Sequence, residues 1–252
     1  MKTNPAARVL NLLQSLIEKA PSENSAMAEN WFAILDVKQS DHNTRLIELT
    51  DKFRLIFHQI DLIKNQMHFS ESDEFDCLSI LDALNNIFQI SQFDKPWKFT
   101  KPLITRELLL CLGYCRELIP DDDQLIDAGE LAEIYAELDS LQLAISSSSL
   151  PSHSKEIIMN FINRMRQVLS SYKITGITPA AEAITQATGE MYLKKEQIQL
   201  QADDEENAKL LRKFSTILQR IYDTTTKVSN ITSSAVKIAE ALAKLKDVIR
   251  LE

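Results

Sequence analysis

Cys111 and Cys115 stand four residues apart, a spacing that brings two thiols to one face of a helix. Two thiols on one face can begin a metal site. Zinc takes four ligands in a closed site, and no second pair is present. With Cys77 the chain holds 3 cysteines, too few and too unevenly placed for a disulfide framework. Buried thiols acting as small hydrophobes are the expectation. Asp121, Asp122 and Asp123, with Asp127 and Glu130, form an acidic run. A calcium loop needs alternating ligands, a glycine at its sixth position and a glutamate at its twelfth. Ile126 and Ala132 occupy those places, so an acidic helix start is the better reading. No metal or cofactor is expected.

Arg54 and His58 are the remaining pair with catalytic potential. They lie four apart on a helical stretch, with Asp51 and Asp61 on the same polar face. All-helical ribonucleases of the HEPN class place an arginine and a histidine on one helix. Their motif separates the two by four to six residues, with a polar residue after the arginine. Here the apolar Leu55, Ile56 and Phe57 intervene. A solvated helix face is expected, and a ribonuclease built on Arg54 and His58 is the least favoured function. His42 follows Asp41, but metal-dependent phosphohydrolase chemistry needs further ligands on other helices. No spacing joins the 4 histidines. Glycine-rich phosphate loops and the GxSxG elbow are absent.

The elements around these residues are predicted to be helices. The chain has only 4 glycines in 252 residues, where average composition gives about 18. Hairpin turns need glycine, so a β-rich fold is disfavoured. Apolar residues recur at helical spacing between the prolines. The prediction is an all-α multi-helix bundle of about eight or nine helices. Asn4 and Pro5 start the first helix. Further helices are placed at about 25–36, 43–68, 73–93, 103–118, 128–145 and 154–173. Asp127 and Glu130 have capping-box spacing. Ile174-Thr175-Gly176 breaks a helix, and Thr178-Pro179 starts the next. Phe93, Trp97 and Phe99 alternate with Lys95, Lys98 and Lys101 in a segment read as a loop. Its aromatics are expected to plug the bundle end, not to stack bases.

The final segment carries the strongest pattern. Leu210, Phe214, Ile217, Ile221, Thr224, Val228, Ile231, Ala235, Ile238, Leu242, Leu245 and Ile249 follow a 4-3 spacing. That is a narrow heptad seam on a helix ~60 Å long. A spine inside the bundle is the leading reading, with a coiled coil or a docking helix behind it. Ile221, Val228, Ile231, Ile238, Leu242, Leu245 and Ile249 are the candidate partner-interface residues. Ser146 to Ser149 read as a linker. Two domains are expected: an acidic N-terminal bundle over 1–145, and a C-terminal helical region over 154–252.

Charge divides the same way. Residues 1–150 hold 13 basic and 24 acidic residues; residues 151–252 hold 15 and 12. From Glu107 to Asp139 there are 10 acids and one arginine, Arg116. From Asn207 to Arg250 there are 9 basic and 3 acidic residues. These two segments are expected to pack near each other. No apolar run is long enough for an ordinary transmembrane helix. The first residues lack a secretory signal pattern, so the cytoplasm is the expected location.

Leu150-Pro151, Tyr172-x-Ile174-x-Gly176, the stretch Ala183 to Gly189, Trp31 and Pro96-Trp97 together carry a resemblance. The chain resembles a loose group of uncharacterised all-helical bacterial proteins over most of residues 5–190. The resemblance implies a bacterial origin and a defence or mobile-element setting. It brings no catalytic residue with it. The functional expectation is a non-enzymatic helical interaction protein: a scaffold, adaptor or inhibitor subunit. Its partner would be another protein or a second copy; nucleic acid is not expected. The alternative is a membrane-active effector. Val236 to Leu251, with Lys237, Lys244, Lys246 and Arg250, would lie on an anionic membrane surface.

Overall fold

The computed structural model describes residues 2–20, 22–38, 41–68, 77–124, 126–194 and 205–228. The fold is all-α. Extended structure among the described residues is limited to two short segments, Lys2–Thr3 and Asp123–Gln124, and an isolated bridge between Ala26 and Pro96. The chain divides into two compact units. One holds Lys2–Asp121 and Ser171–Gly176; the other holds Asp122–Ser170 and the chain from Ile177 onward.

The N-terminal unit contains α1 (Pro5–Lys19), α2 (Met27–Ile34), α3 (His42–His68), α4 (Cys77–Leu81), α5 (Leu84–Ile87), α6 (Trp97–Thr100) and α7 (Arg106–Leu118). α1 packs on α2, α3 and α7, and α4 packs on α7. Asn4 explains how α1 and α7 meet. Its Oδ1 accepts from the Ala7 N–H at 2.9 Å, capping α1. Its Nδ2 donates to the carbonyls of Arg116 at 2.9 Å and Ile119 at 2.7 Å. One buried side chain thus satisfies the start of one helix and the end of another. Asn4→Ala is expected to cost ~2–4 kcal/mol, from a lost cap and two stranded carbonyls. Asn4→Asp keeps the cap but turns a carboxylate oxygen towards those carbonyls. It should melt lower than Asn4→Ala in a urea titration. The reverse order would show that the cap alone matters.

α2 has no side-chain cap. Its first N–H groups are met by backbone instead: Met27 donates to Lys95 at 2.9 Å and Ala28 to Phe93 at 3.0 Å. This seats Trp31 against Phe88 and Phe53, with ring centroids at 5.2 and 5.5 Å. Phe53 also meets Phe93 at 5.2 Å. The segment 94–102 is not a plain loop; it contains α6 and a single turn of 3₁₀ helix at Lys101–Leu103. Phe93 and Trp97 are buried as expected for a plug, while Phe99 is exposed.

The helix expected over 73–93 is interrupted among its described residues. α4 and α5 are separated by a turn at Asp82–Ala83, and a 3₁₀ turn follows at Ile90–Gln92. Ser79, Asp82, Asn85 and Asn86 weaken a continuous helix there. Bending lets Leu81, Leu84, Ile87 and Phe88 all reach the core.

The C-terminal unit contains α8 (Ala128–Ser147), α9 (Ser152–Thr175) up to Ser170, α10 (Thr178–Leu193) and α11 (Glu205–Val228). Asp127 caps α8, accepting from the Gly129 and Glu130 N–H groups. Gly176, at φ 71°, ends α9, and its N–H reaches the Tyr172 carbonyl at 2.9 Å. α11 runs antiparallel along α8, as a ladder of side-chain contacts shows. Ser149 meets Asn207, Lys213 meets Ser140, Arg220 meets Glu133 and Glu137, and Thr224 meets Glu130. The parts of the acidic and basic segments that lie on α8 and on α11 therefore pack together. This pairing places α8 with the helices that follow it. Ser146 and Ser147 are the last residues of α8, Ser148 and Ser149 lie in the turn towards α9 within one unit, and the units divide at Asp121/Asp122.

Candidate functional site

Thr105 caps α7 by accepting from the Leu108 N–H at 3.1 Å, and Glu107 lies in the first turn. The helix so started turns Leu108, Cys111, Leu112 and Cys115 inward. Cys77, the first residue of α4, packs against this face. The sulfurs of Cys77, Cys111 and Cys115 all lie within 4.8 Å of one another, and all three residues are buried in the apolar core of the N-terminal unit. None is in a disulfide. The Cys111 thiol donates to the Cys77 carbonyl at 3.5 Å, and the Cys77 thiol approaches the Cys111 carbonyl at 4.0 Å. Hydrogen bonding to Cys115, reinforced by burial, pushes the Cys111 thiol well above its usual range. The hydrogen bond from Cys111 pulls Cys115 down, against the effect of burial. Three thiols held this way are a soft, preformed donor set.

The sequence offered the pair on α7 through its four-residue spacing. It offered no sign of Cys77, which lies 34 residues before Cys111 and reaches it only because α4 packs on α7.

Arg54 and His58 are both exposed on α3. Arg54 lies 3.9 Å from Asp51 on the same exposed face. The intervening Ile56 is core, so the helix turns its apolar side inward and these two outward. His42 is exposed and lies edge-on to Phe32 at 6.3 Å. His153 is half-buried in the first turn of α9, and its Nε2 has no hydrogen-bond partner among the described residues.

Of the seam residues, Phe214, Ile217, Ile221 and Thr224 are buried within the C-terminal unit, where α11 packs on α8 and α10. Val228 is the last residue of α11. Ile231, Ile238, Leu242, Leu245 and Ile249 lie outside the described residues.

A different apolar feature faces outward. Leu110, Tyr114 and Leu118 are 59%, 38% and 44% exposed, at successive steps of four along α7. Glu107 and Glu117 are exposed beside them. No described helix is long and apolar enough to cross a membrane.

No protein-family model, curated protein or solved structure matches the chain.

Proposed function

We propose that this chain is a non-enzymatic helical interaction protein of a reducing cytoplasm, a scaffold, adaptor or inhibitor subunit. Its outer α7 face receives a basic amphipathic helix of a protein partner. The observation that carries this reading is the stripe of Leu110, Tyr114 and Leu118 on an exposed helix face. Apolar anchors at steps of four match the stripe of an incoming amphipathic helix. Charge selects the partner's sign. From Glu107 to Asp121 the sequence carries three acids and one arginine, and Arg116 is held by Glu117 at 2.6 Å. A basic rim on the incoming helix complements this surface, and an acidic one is repelled.

The test uses a synthetic Leu/Lys amphipathic peptide and fluorescence anisotropy. Leu110→Asp/Leu118→Asp adds two negative charges while removing two apolar anchors. Attraction by charge alone predicts tighter binding to this variant. Docking on the stripe predicts binding about tenfold weaker than wild type. Equal or tighter binding by the variant overturns the reading. So does failure of the wild type to bind the peptide while it sediments with anionic vesicles through Val236 to Leu251. That second result would favour the membrane effector.

A further inference from the structure

Three sulfurs facing one another in an apolar core constrain the charge of anything they hold. All three residues are buried in the apolar core of the N-terminal unit. A net negative charge left here is therefore costly. Zinc or cadmium on three thiolates would leave one such charge, and copper(I) would leave two. Zinc also wants a fourth ligand. A trivalent ion leaves none.

We propose that Cys77, Cys111 and Cys115 form a three-sulfur site for a trivalent thiophilic metalloid of the arsenite class. Such an element binds three thiolates in a pyramid, and its lone pair takes the place of a fourth ligand. The reaction balances without an oxidant or reductant. The neutral hydroxide E(OH)₃ meets three protonated thiols. Three E–O bonds break and three E–S bonds form. Each thiol proton leaves with a hydroxide as water, so three waters depart and the element stays trivalent. A neutral solute enters and a neutral complex remains. This suits three sulfurs buried together in an apolar core. The geometry is near what is needed: sulfur–ion bonds of ~2.3 Å would space three sulfurs ~4 Å apart in a flat trigonal site and ~3.5 Å apart in a pyramid. The observed limit of 4.8 Å leaves a small inward movement. Two donors are fixed at i, i+4 on one helix, and only the short α4 has to follow.

The experiment uses the full chain, reduced and freed of small thiols, incubated with sodium arsenite. Native mass spectrometry should show one arsenic per chain, with the loss of three protons. All three thiols should then resist alkylation, a near-ultraviolet sulfur-to-arsenic band should appear, and the melting temperature should rise. Cys77→Ala is expected to keep its helical circular dichroism and lose the stable adduct. If that variant fails to fold, the alkylation pattern of the wild type decides. Three protected cysteines support the site. Protection of Cys111 and Cys115 alone, or of none, overturns it. A parallel titration with zinc alone addresses the choice of ion. Zinc held more tightly than arsenite would overturn the trivalent assignment.

Discussion

Trp31→Ala is expected to destabilise the N-terminal unit by ~3–5 kcal/mol, the cost of emptying a large aromatic site that cannot collapse. Trp31 is fully buried and touches Phe53 and Phe88, which also touch each other with ring centroids 5.4 Å apart. Removing it deletes two aromatic contacts and takes the support from the third. The same site gives a sharper comparison. The indole Nε1 is buried without a hydrogen-bond partner among the described residues, so its desolvation is uncompensated. Trp31→Phe deletes that donor and keeps most of the ring volume. It should cost no more than ~1.5 kcal/mol. Urea melts followed by circular dichroism measure both. If phenylalanine proves as damaging as alanine, the indole nitrogen has a partner and the packing account is incomplete.

Ile221→Asp should be the most damaging single change in the C-terminal unit. Ile221 is 1% exposed on α11, between Ile217 and Thr224, which are also buried. The described seam positions beside it, Phe214, Ile217 and Thr224, carry no charge. The neighbouring Arg220 is already engaged by Glu133 and Glu137. The cost should exceed ~4 kcal/mol, enough to unfold a marginal helical unit. Thr216→Asp on the same helix is the control. Thr216 is exposed, and the change should stay within ~0.5 kcal/mol of wild type. Thermal melts with light scattering report both stability and mass. An Ile221→Asp chain with unchanged melting temperature and mass would mean that this face is open in solution. The α8–α11 pairing would then be wrong.

The sequence by itself determined that this protein is all-α, and it placed most helix boundaries. The reason is local: Asn4 and Asp127 satisfy orphan N–H groups within a few residues, and Gly176 supplies the backbone conformation that ends α9 there. Periodicity fixed which face of α3 and α11 is apolar, because a helix face depends only on spacing. Charge signs foretold that the α8 acids meet the α11 cations, since opposite charge acts over the range of one helix packing on another. Arg54 and His58 could be recognised as a solvated face for the same local reason. What tertiary structure alone decided depends on which helices become neighbours. The serine run reads alike as a linker between domains or as a turn within one, and only the α8–α11 packing distinguishes them. The break between α4 and α5 follows from the pull of the Trp31–Phe53–Phe88 core, a long-range demand that outweighs modest helix propensity. Leu110, Tyr114 and Leu118 look like core in sequence and become surface only because α1 and α4 cover the opposite side of α7. Cys77 joined Cys111 and Cys115 for the same reason: a side-chain cluster is made by the packing of helices, and no spacing along the chain encodes it.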